Sequence, residues 1–222
     1  DPSLYRLDAE SLAFLKAEIC IQDDDELRNH ILSVQARAYA VAPYPCIRAF
    51  SFTRTTGMMT ETLLMCIKLK ISKMPAYKQV LKLGQEREGA LLLDIGCCFG
   101  NDARKAAVDF PAKQIVASDR KPELWELGHV LFRSNLELLK ATFVAGNALD
   151  PTFLSPVAGS REPPVPVGLS NISVLNDLHG KVSAIWATSF FHLFPEKNQR
   201  QLAHAQSGSI IFGSHVAMPE KG

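Results

Sequence analysis

The stretch Ala90-Leu91-Leu92-Leu93-Asp94-Ile95-Gly96-Cys97-Cys98-Phe99-Gly100-Asn101-Asp102 decides the fold. A short unbroken apolar run reads as a strand buried on both faces, because polar alternation is lost where neither face meets water. The run ends in an acid and a turn built on Gly96 and Gly100, and residues 102–108 then read as a helix. Strand, glycine turn and helix make the first half of a βαβ unit.

Downstream the unit recurs. Residues 114–119 read as a second strand ending in Asp119. Residues 122–139 read as a helix with Leu124, Leu127, Leu131 and Leu138 on one face, and residues 141–145 as a third strand. A loop rich in Pro, Gly and Ser follows over 155–170. A fourth strand at 182–187, a helix at 195–205 with Pro195 in its first turn and a fifth strand at 209–212 complete the series. Strands alternating with helices predict an α/β, Rossmann-like domain: a mostly parallel sheet with helices on both faces. Such sheets bind ligands at the carboxyl ends of their strands, where strand order reverses.

Upstream the pattern is helical. Leu4, Leu7, Leu12, Leu15 and Ile19 predict a helix over 3–20. Asp23-Asp24-Asp25 opens a second helix, since acids suit the positive end of its dipole. Leu27, Ile31, Val34 and Ala38 form its apolar face, and Pro43 and Pro45 stop it. Residues 53–60 read as a polar loop and 61–83 as helix interrupted near Pro75. The expected division is an N-terminal helical cap and substrate-side segment at 1–83, then a ligand-binding core at 84–222.

The bulk numbers narrow the classes of function. The chain has 222 residues, 47% of them hydrophobic and 21% charged, enough to bury one domain's core. With 24 basic and 23 acidic residues the net charge is +1, which predicts no nucleic-acid partner. No apolar run reaches membrane-spanning length and the first residues carry no leader pattern, so no membrane partner is expected. Cys20, Cys46, Cys66, Cys97 and Cys98 are spaced for neither a disulfide framework nor a zinc site. A reduced, cytoplasmic compartment and no metal are the expectation. The chain opens on Asp1 rather than Met, so its N-terminus is expected to be incomplete or processed.

The candidate chemistry lies at the strand ends. Asp94-x-Gly96-x-x-x-Gly100 lets the backbone turn sharply and a ligand approach its amides. Asp119, ending the next strand, can accept the hydroxyls of a ribose. Both features would also suit a nicotinamide dinucleotide. Two details favour S-adenosylmethionine instead. The dinucleotide fingerprint's second glycine falls at Cys98, and Asp102 opens the helix where a pyrophosphate would sit. A sulfonium cation suits a loop flanked by Asp94 and Asp102. In Gly146-Asn147-Ala148 the Asn147 amide oxygen can accept from an adenine amino group while the Ala148 amide donates to the ring. The competing reading of Asn147 is an ordinary turn, the better one for that motif alone. Cys97-Cys98 reads as small buried residues beside a ligand rather than a redox pair. His192, in the loop after the fourth strand, can orient an acidic substrate or take its proton, or be a loop histidine satisfied locally. Arg48 can pair with a substrate carboxylate, or be a surface arginine. Trp125, Trp186 and most Phe residues read as core.

Longer motifs carry a resemblance. They are Tyr44-Pro45-Cys46-Ile47-Arg48, Met74-Pro75-Ala76-Tyr77, the run from Leu92 through Phe99-Gly100-Asn101-Asp102-Ala103-Arg104-Lys105, Asp119 with Leu127-Gly128 and Leu131-Phe132, and Phe191-His192-Leu193-Phe194 with Gln199. From about Ala38 onward the chain resembles the fungal S-adenosylmethionine-dependent methyltransferases of meroterpenoid and related secondary-metabolite pathways, of the austinol and andrastin type. The resemblance implies a class I methyltransferase fold and O-methylation of a carboxylic acid on a prenylated polyketide or terpenoid. It also admits a homodimer. The candidate cofactor set is Asp94, Gly96, Cys97, Cys98, Gly100, Asp119, Arg120, Asn147, Ala148 and Ser189. The candidate substrate set is Tyr44, Arg48, Tyr77 and His192, with His192 also the candidate catalytic residue. Asn147 stands where the family usually has aspartate.

Three departures from the pattern give further expectations. Residues about 53–67 read as extra sequence that a deletion should tolerate. The chain reads as short between Gln201 and Ser209. The two C-terminal strands of the family read as missing after the fifth strand, so a catalytically inactive, binding-only relative is the alternative.

Overall fold

The computed structural model describes residues 2–53, 70–156, 168–204 and 210–214. Five strands, β1 (Leu91–Ile95), β2 (Ile115–Asp119), β3 (Thr142–Ala145), β4 (Val182–Trp186) and β5 (Ile210–Phe212), form one sheet in the order β3-β2-β1-β4-β5. Every pairing is parallel. This is the expected Rossmann-like arrangement, and its switch in strand order lies between β1 and β4.

The two faces of the sheet bury different partners. Leu92, Ile115, Ala117, Ala184 and Trp186 pack against α4 (Tyr77–Glu86) and α5 (Asn101–Asp109). Leu91, Leu93, Ile95, Val116, Val144, Val182 and Ile185 face Phe153, Leu154, Leu175, Leu178 and Leu202, the last on α7 (Glu196–His204). Val182 and Ile185 share a face because the β1–β4 register shifts between Leu91 and Leu92. There the Leu91 N–H donates to Ser183 Oγ at 3.3 Å.

The cap consists of α1 (Ala9–Ile19), α2 (Asp24–Val41) and the short α3 (Pro45–Arg48). α1 begins later than the periodicity predicts, because Asp8 caps it by accepting the Ser11 N–H at 2.7 Å. α2 begins where the three aspartates predict, with Asp23 accepting the Glu26 N–H at 2.8 Å, and it stops before Pro43. Leu15, Ile19, Leu27 and Ile31 of the cap bury against Leu124, Leu127 and Leu131 of α6 (Pro122–Leu131). Gly128 lets α6 approach the turn after β1 as well, because a Cβ there would lie 2.1 Å from the Phe99 carbonyl oxygen. α6 is shorter than the predicted 122–139 helix. Arg133 turns to a φ of 47°, and Asn135 Oδ1 accepts the Glu137 and Leu138 N–H groups, a local turn that competes with helix. Leu138 is therefore 73% exposed instead of joining the apolar face.

Pro75 separates a 3-10 turn at Lys70–Lys73 from α4, as the sequence predicts. The extra sequence expected at 53–67 lies outside the described residues except for Thr53, which is buried and donates its hydroxyl to the Phe50 carbonyl at 2.8 Å. The shortening expected near 205–209 and the central part of the 155–170 loop also lie outside the described residues. Among the described residues no helix is long and apolar enough to cross a membrane.

Candidate cofactor site

The turn after β1 is held by backbone hydrogen bonds. The Gly96 and Cys97 N–H groups both donate to the Ser118 carbonyl, at 2.8 and 3.1 Å. Gly96 and Gly100 adopt φ of 76° and 72°, the left-handed region that glycine enters freely. Cys98 adopts φ of 52° there too, at a cost of about 1–2 kcal/mol for a residue with a side chain. Its N–H donates to Asp119 Oδ2 at 2.9 Å, while Asp119 Oδ1 accepts the Lys121 N–H at 3.0 Å. The end of β2 thus fastens the turn after β1. Burial pushes the Cys97 and Cys98 thiols well up, with Asp94 and Asp119 adding to it at Cys97 and Asp119 at Cys98. Thiols held protonated make poor nucleophiles and ligands. No cluster among the described residues suits a metal ion.

Three carboxylates lie around this turn, in different states of satisfaction. Asp94 is 3% exposed and its Oδ2 has no hydrogen-bond partner among the described residues. Burial, then Asp102 and Asp119, raise its carboxyl well above the usual range. Asp102, expected to flank the ligand loop, gives both carboxylate oxygens to protein donors. Its Oδ1 accepts the Ile71 N–H at 3.1 Å and its Oδ2 accepts the Trp186 Nε1–H at 3.0 Å. Asp102 therefore joins the 70–73 turn, α5 and β4. Nothing in the local sequence signals this bond across the fold. Beside it, Asn101 Nδ2 donates to the Phe52 carbonyl at 2.6 Å, tying the cap to the start of α5. Arg104 of the same motif crosses to the end of α6. Its Nη1 donates to Ser134 Oγ at 2.6 Å and its guanidinium lies 4.8 Å from the Phe132 ring centre.

The remaining candidates divide into two groups. α3 brings Tyr44 close enough to Asp119 and Cys98 that both add to the burial that raises its phenol; Arg120, facing it, pulls the other way. Arg48 is exposed in the last turn of α3. Tyr77 is buried and its hydroxyl donates to Asp109 Oδ2 at 3.0 Å. Asp109 ends α5, about 12 Å of helix from the glycine turn, so Tyr77 braces the far end of the core. Asn147 is exposed and its Oδ1 accepts the Leu149 N–H at 3.2 Å, the ordinary turn that competed with adenine recognition. Ala148 is half-buried against the second core face.

After β4, Ser189 takes φ of 49° and its N–H donates to the Ser214 carbonyl at 2.6 Å. Phe190 then places its ring over Gly96, where a Cβ would lie 2.6 Å from a ring carbon. The Phe190 ring also meets Phe191 and Phe194, with centroids 5.9 and 5.0 Å away. His192 is exposed in the 3-10 turn Phe191–Leu193, which Gln199 fastens by donating to the Phe194 carbonyl at 2.8 Å. Sequence reasoning missed Phe190 as a partner of Gly96, although the residue directly precedes the Phe191-His192-Leu193-Phe194 motif.

The glycine turn thus joins a buried Asp94 and a half-buried Asp119 at adjacent strand ends. Residues 1–53 match a family model described as the meroterpenoid methyltransferase N-terminal domain. The chain is similar to fungal meroterpenoid methyltransferases. This match places the N-terminal helices, upstream of Ala38, within the resemblance as well. The asnovolin E/chermesin D methyltransferase nvfJ of Aspergillus novofumigatus is 30% identical over 86% of this chain and 59% of its own length. Methyltransferase trt5 of Aspergillus terreus is 27% identical over 100% of this chain and 72% of its own. Methyltransferase ausD of Penicillium brasilianum is 26% identical over 84% of this chain, which spans 57% of that relative. Among solved structures, an amino pentose methyltransferase of Micromonospora echinaspora is 13% identical, with a TM-score of 0.38 over 74% of this chain and 62% of its own.

Proposed function

We propose that the carboxyl end of this sheet holds S-adenosylmethionine and that the chain methylates a carboxylate oxygen of a small molecule, a prenylated polyketide or terpenoid acid. The observation that carries this reading is the buried Asp94 Oδ2, an acceptor with no partner among the described residues, beneath a glycine turn and beside Asp102 and Asp119. Such a site suits a cation and opposes a pyrophosphate. That chemistry favours the sulfonium cofactor over a nicotinamide dinucleotide.

The residues present fit the group. Asp119 accepts one N–H on each oxygen and keeps lone pairs for ribose hydroxyls. Gly96, Cys97, Cys98 and Gly100 offer backbone to the cofactor, and Asn147, Ala148, Arg120 and Ser189 stand at its rim. When bound, the cofactor supplies a methyl group on a cationic sulfur. The chain's own part is to orient the acceptor and exclude water. A carboxylic acid, with a reference pKa of about 4, is ionised at neutral pH and needs no strong base. Arg48, Tyr44 and His192 then position the acid, and Phe190, Phe191 and Phe194 supply an apolar wall. The reading includes residues 1–83 as an N-terminal segment whose α1–α3 form the cap and whose α4 lies on the sheet, 84–222 as core, action in the cytoplasm, and a homodimer.

Isothermal titration with S-adenosylmethionine and with NAD tests the cofactor. Mass spectrometry of candidate acids for the gain of one methyl tests the reaction. Tight NAD binding without S-adenosylmethionine binding overturns the assignment. Cofactor binding with no methylated product from any acid leaves a binding-only relative.

A further inference from the structure

The three carboxylates of the site are not equivalent, and the difference lies in their hydrogen bonds. Asp102 Oδ1 and Oδ2 accept N–H groups from Ile71 and Trp186. Asp119 Oδ1 and Oδ2 accept N–H groups from Lys121 and Cys98. Each of those donors favours the ionised carboxylate. Asp94 Oδ2 is buried and accepts nothing among the described residues. Three neighbouring carboxylates in low dielectric do not all stay ionised without a counter-charge, because like charges and desolvation oppose it. A proton held by this cluster therefore has its lowest-energy place on Asp94 Oδ2, where it costs no existing N–H bond.

We propose that Asp94 reads the charge of the bound ligand: it is a neutral acid in the ligand-free protein, gives its proton to solvent when a sulfonium cation enters, and takes one back when the neutral thioether remains. The inference rests on the S-adenosylmethionine reading above. It makes Asp94 a residue that distinguishes cofactor from product, through one O–H bond broken on cation entry and re-formed from a solvent proton after the positive charge is lost. The groups facing Asp94 support this balance. They are Asp102 from α5, Asp119 from β2 and the Cys97 thiol of the turn; burial and the first two raise the Asp94 carboxyl, and a hydrogen bond from the Ala103 N–H opposes them without offsetting them. The nearby basic groups act elsewhere: Lys70 on Asp102 and Arg120 on Tyr44.

The test is calorimetric and needs no turnover. S-adenosylmethionine, the non-transferable cationic amine analogue sinefungin and S-adenosylhomocysteine are each titrated into the whole chain at one pH, in buffers of different ionisation enthalpy. Proton release should be close to one greater for the two cations than for the thioether. The preference for cation over thioether should also rise with pH, by up to about tenfold per unit below the Asp94 pKa. Asp94→Asn should bind with the excess proton release abolished. The wild-type comparison carries the test by itself if that variant fails to fold. Equal proton counts for cations and thioether overturn the inference while leaving the cofactor reading intact. Absence of binding by all three ligands overturns the cofactor reading and this inference with it.

Discussion

The part of the site at the ends of β1 and β2 and the loops after β3 and β4, on either side of it, are built by different means. On the β1–β2 side, parts distant in sequence hold each other: Ser118 takes two amides of the glycine turn, Asp119 takes the Cys98 amide, and Asp102 takes donors from Ile71 and Trp186. In the loops after β3 and β4, Asn147 bonds its own turn and His192 sits exposed on a short 3-10 turn. A turn fastened from outside keeps its shape before a ligand arrives, whereas local turns can adjust to one. Substitutions on the first side should therefore cost stability or affinity, and those on the second should act mainly on turnover.

The largest expected effect is on the first side. Asp102→Ala leaves two donors without their acceptor and should destabilise the protein by about 3 kcal/mol, read from the shift in urea midpoint. An unchanged midpoint would show that the two donors find water and that Asp102 joins nothing. Next comes Asp119→Ala. It should weaken S-adenosylmethionine by about 1.5–3 kcal/mol in a binding titration, roughly ten- to a hundredfold, by removing a charged acceptor. Equal affinity would detach Asp119 from the ribose.

Smaller effects sharpen the contrast. The raised Asp94 carboxyl means that the folded chain binds a proton which the unfolded chain has released. That contribution to stability is present below the ordinary carboxylate pKa, about 4, and is lost as pH rises through the folded value. Asp94→Asn should reduce the fall in ligand-free stability with pH by up to about 1.4 kcal/mol per unit. Asp102 and Asp119, also raised by burial, keep the remaining slope. A slope as steep as wild type would place the titration elsewhere. Asn147→Ala should change cofactor affinity by under about 0.5 kcal/mol, as expected for a substitution away from a buried contact. A loss ten times larger in affinity would restore its adenine role. His192→Ala should leave cofactor binding unchanged and lower turnover on a carboxylic acid equally at every pH. Recovery of its rate toward pH of about 10 would instead identify a phenol as acceptor and His192 as its base.

Much of the fold was legible in the residues because its causes are local. The apolar run before Asp94 needs burial on both faces, glycine can take the left-handed turn, and Asp23 can cap a helix only from its N-terminus. Two placements that local pattern does not give share a cause as well. Leu138 has the right spacing for α6, but Asn135 turns the chain first; Tyr77 lies in a family motif, but its hydroxyl belongs to the distant end of α5.

The sequence by itself determined a parallel α/β core with acids at the ends of its first two strands and a helical segment before it. Only the tertiary structure decided what each acid does. A carboxylate's state depends on which donors reach its oxygens, and those donors come from remote elements. Trp186, carried to α5 by β4, satisfies Asp102. The Cys98 amide, held by the turn after β1, satisfies Asp119. Asp94 keeps a buried oxygen with no partner among the described residues, and the proposed cation site rests on it.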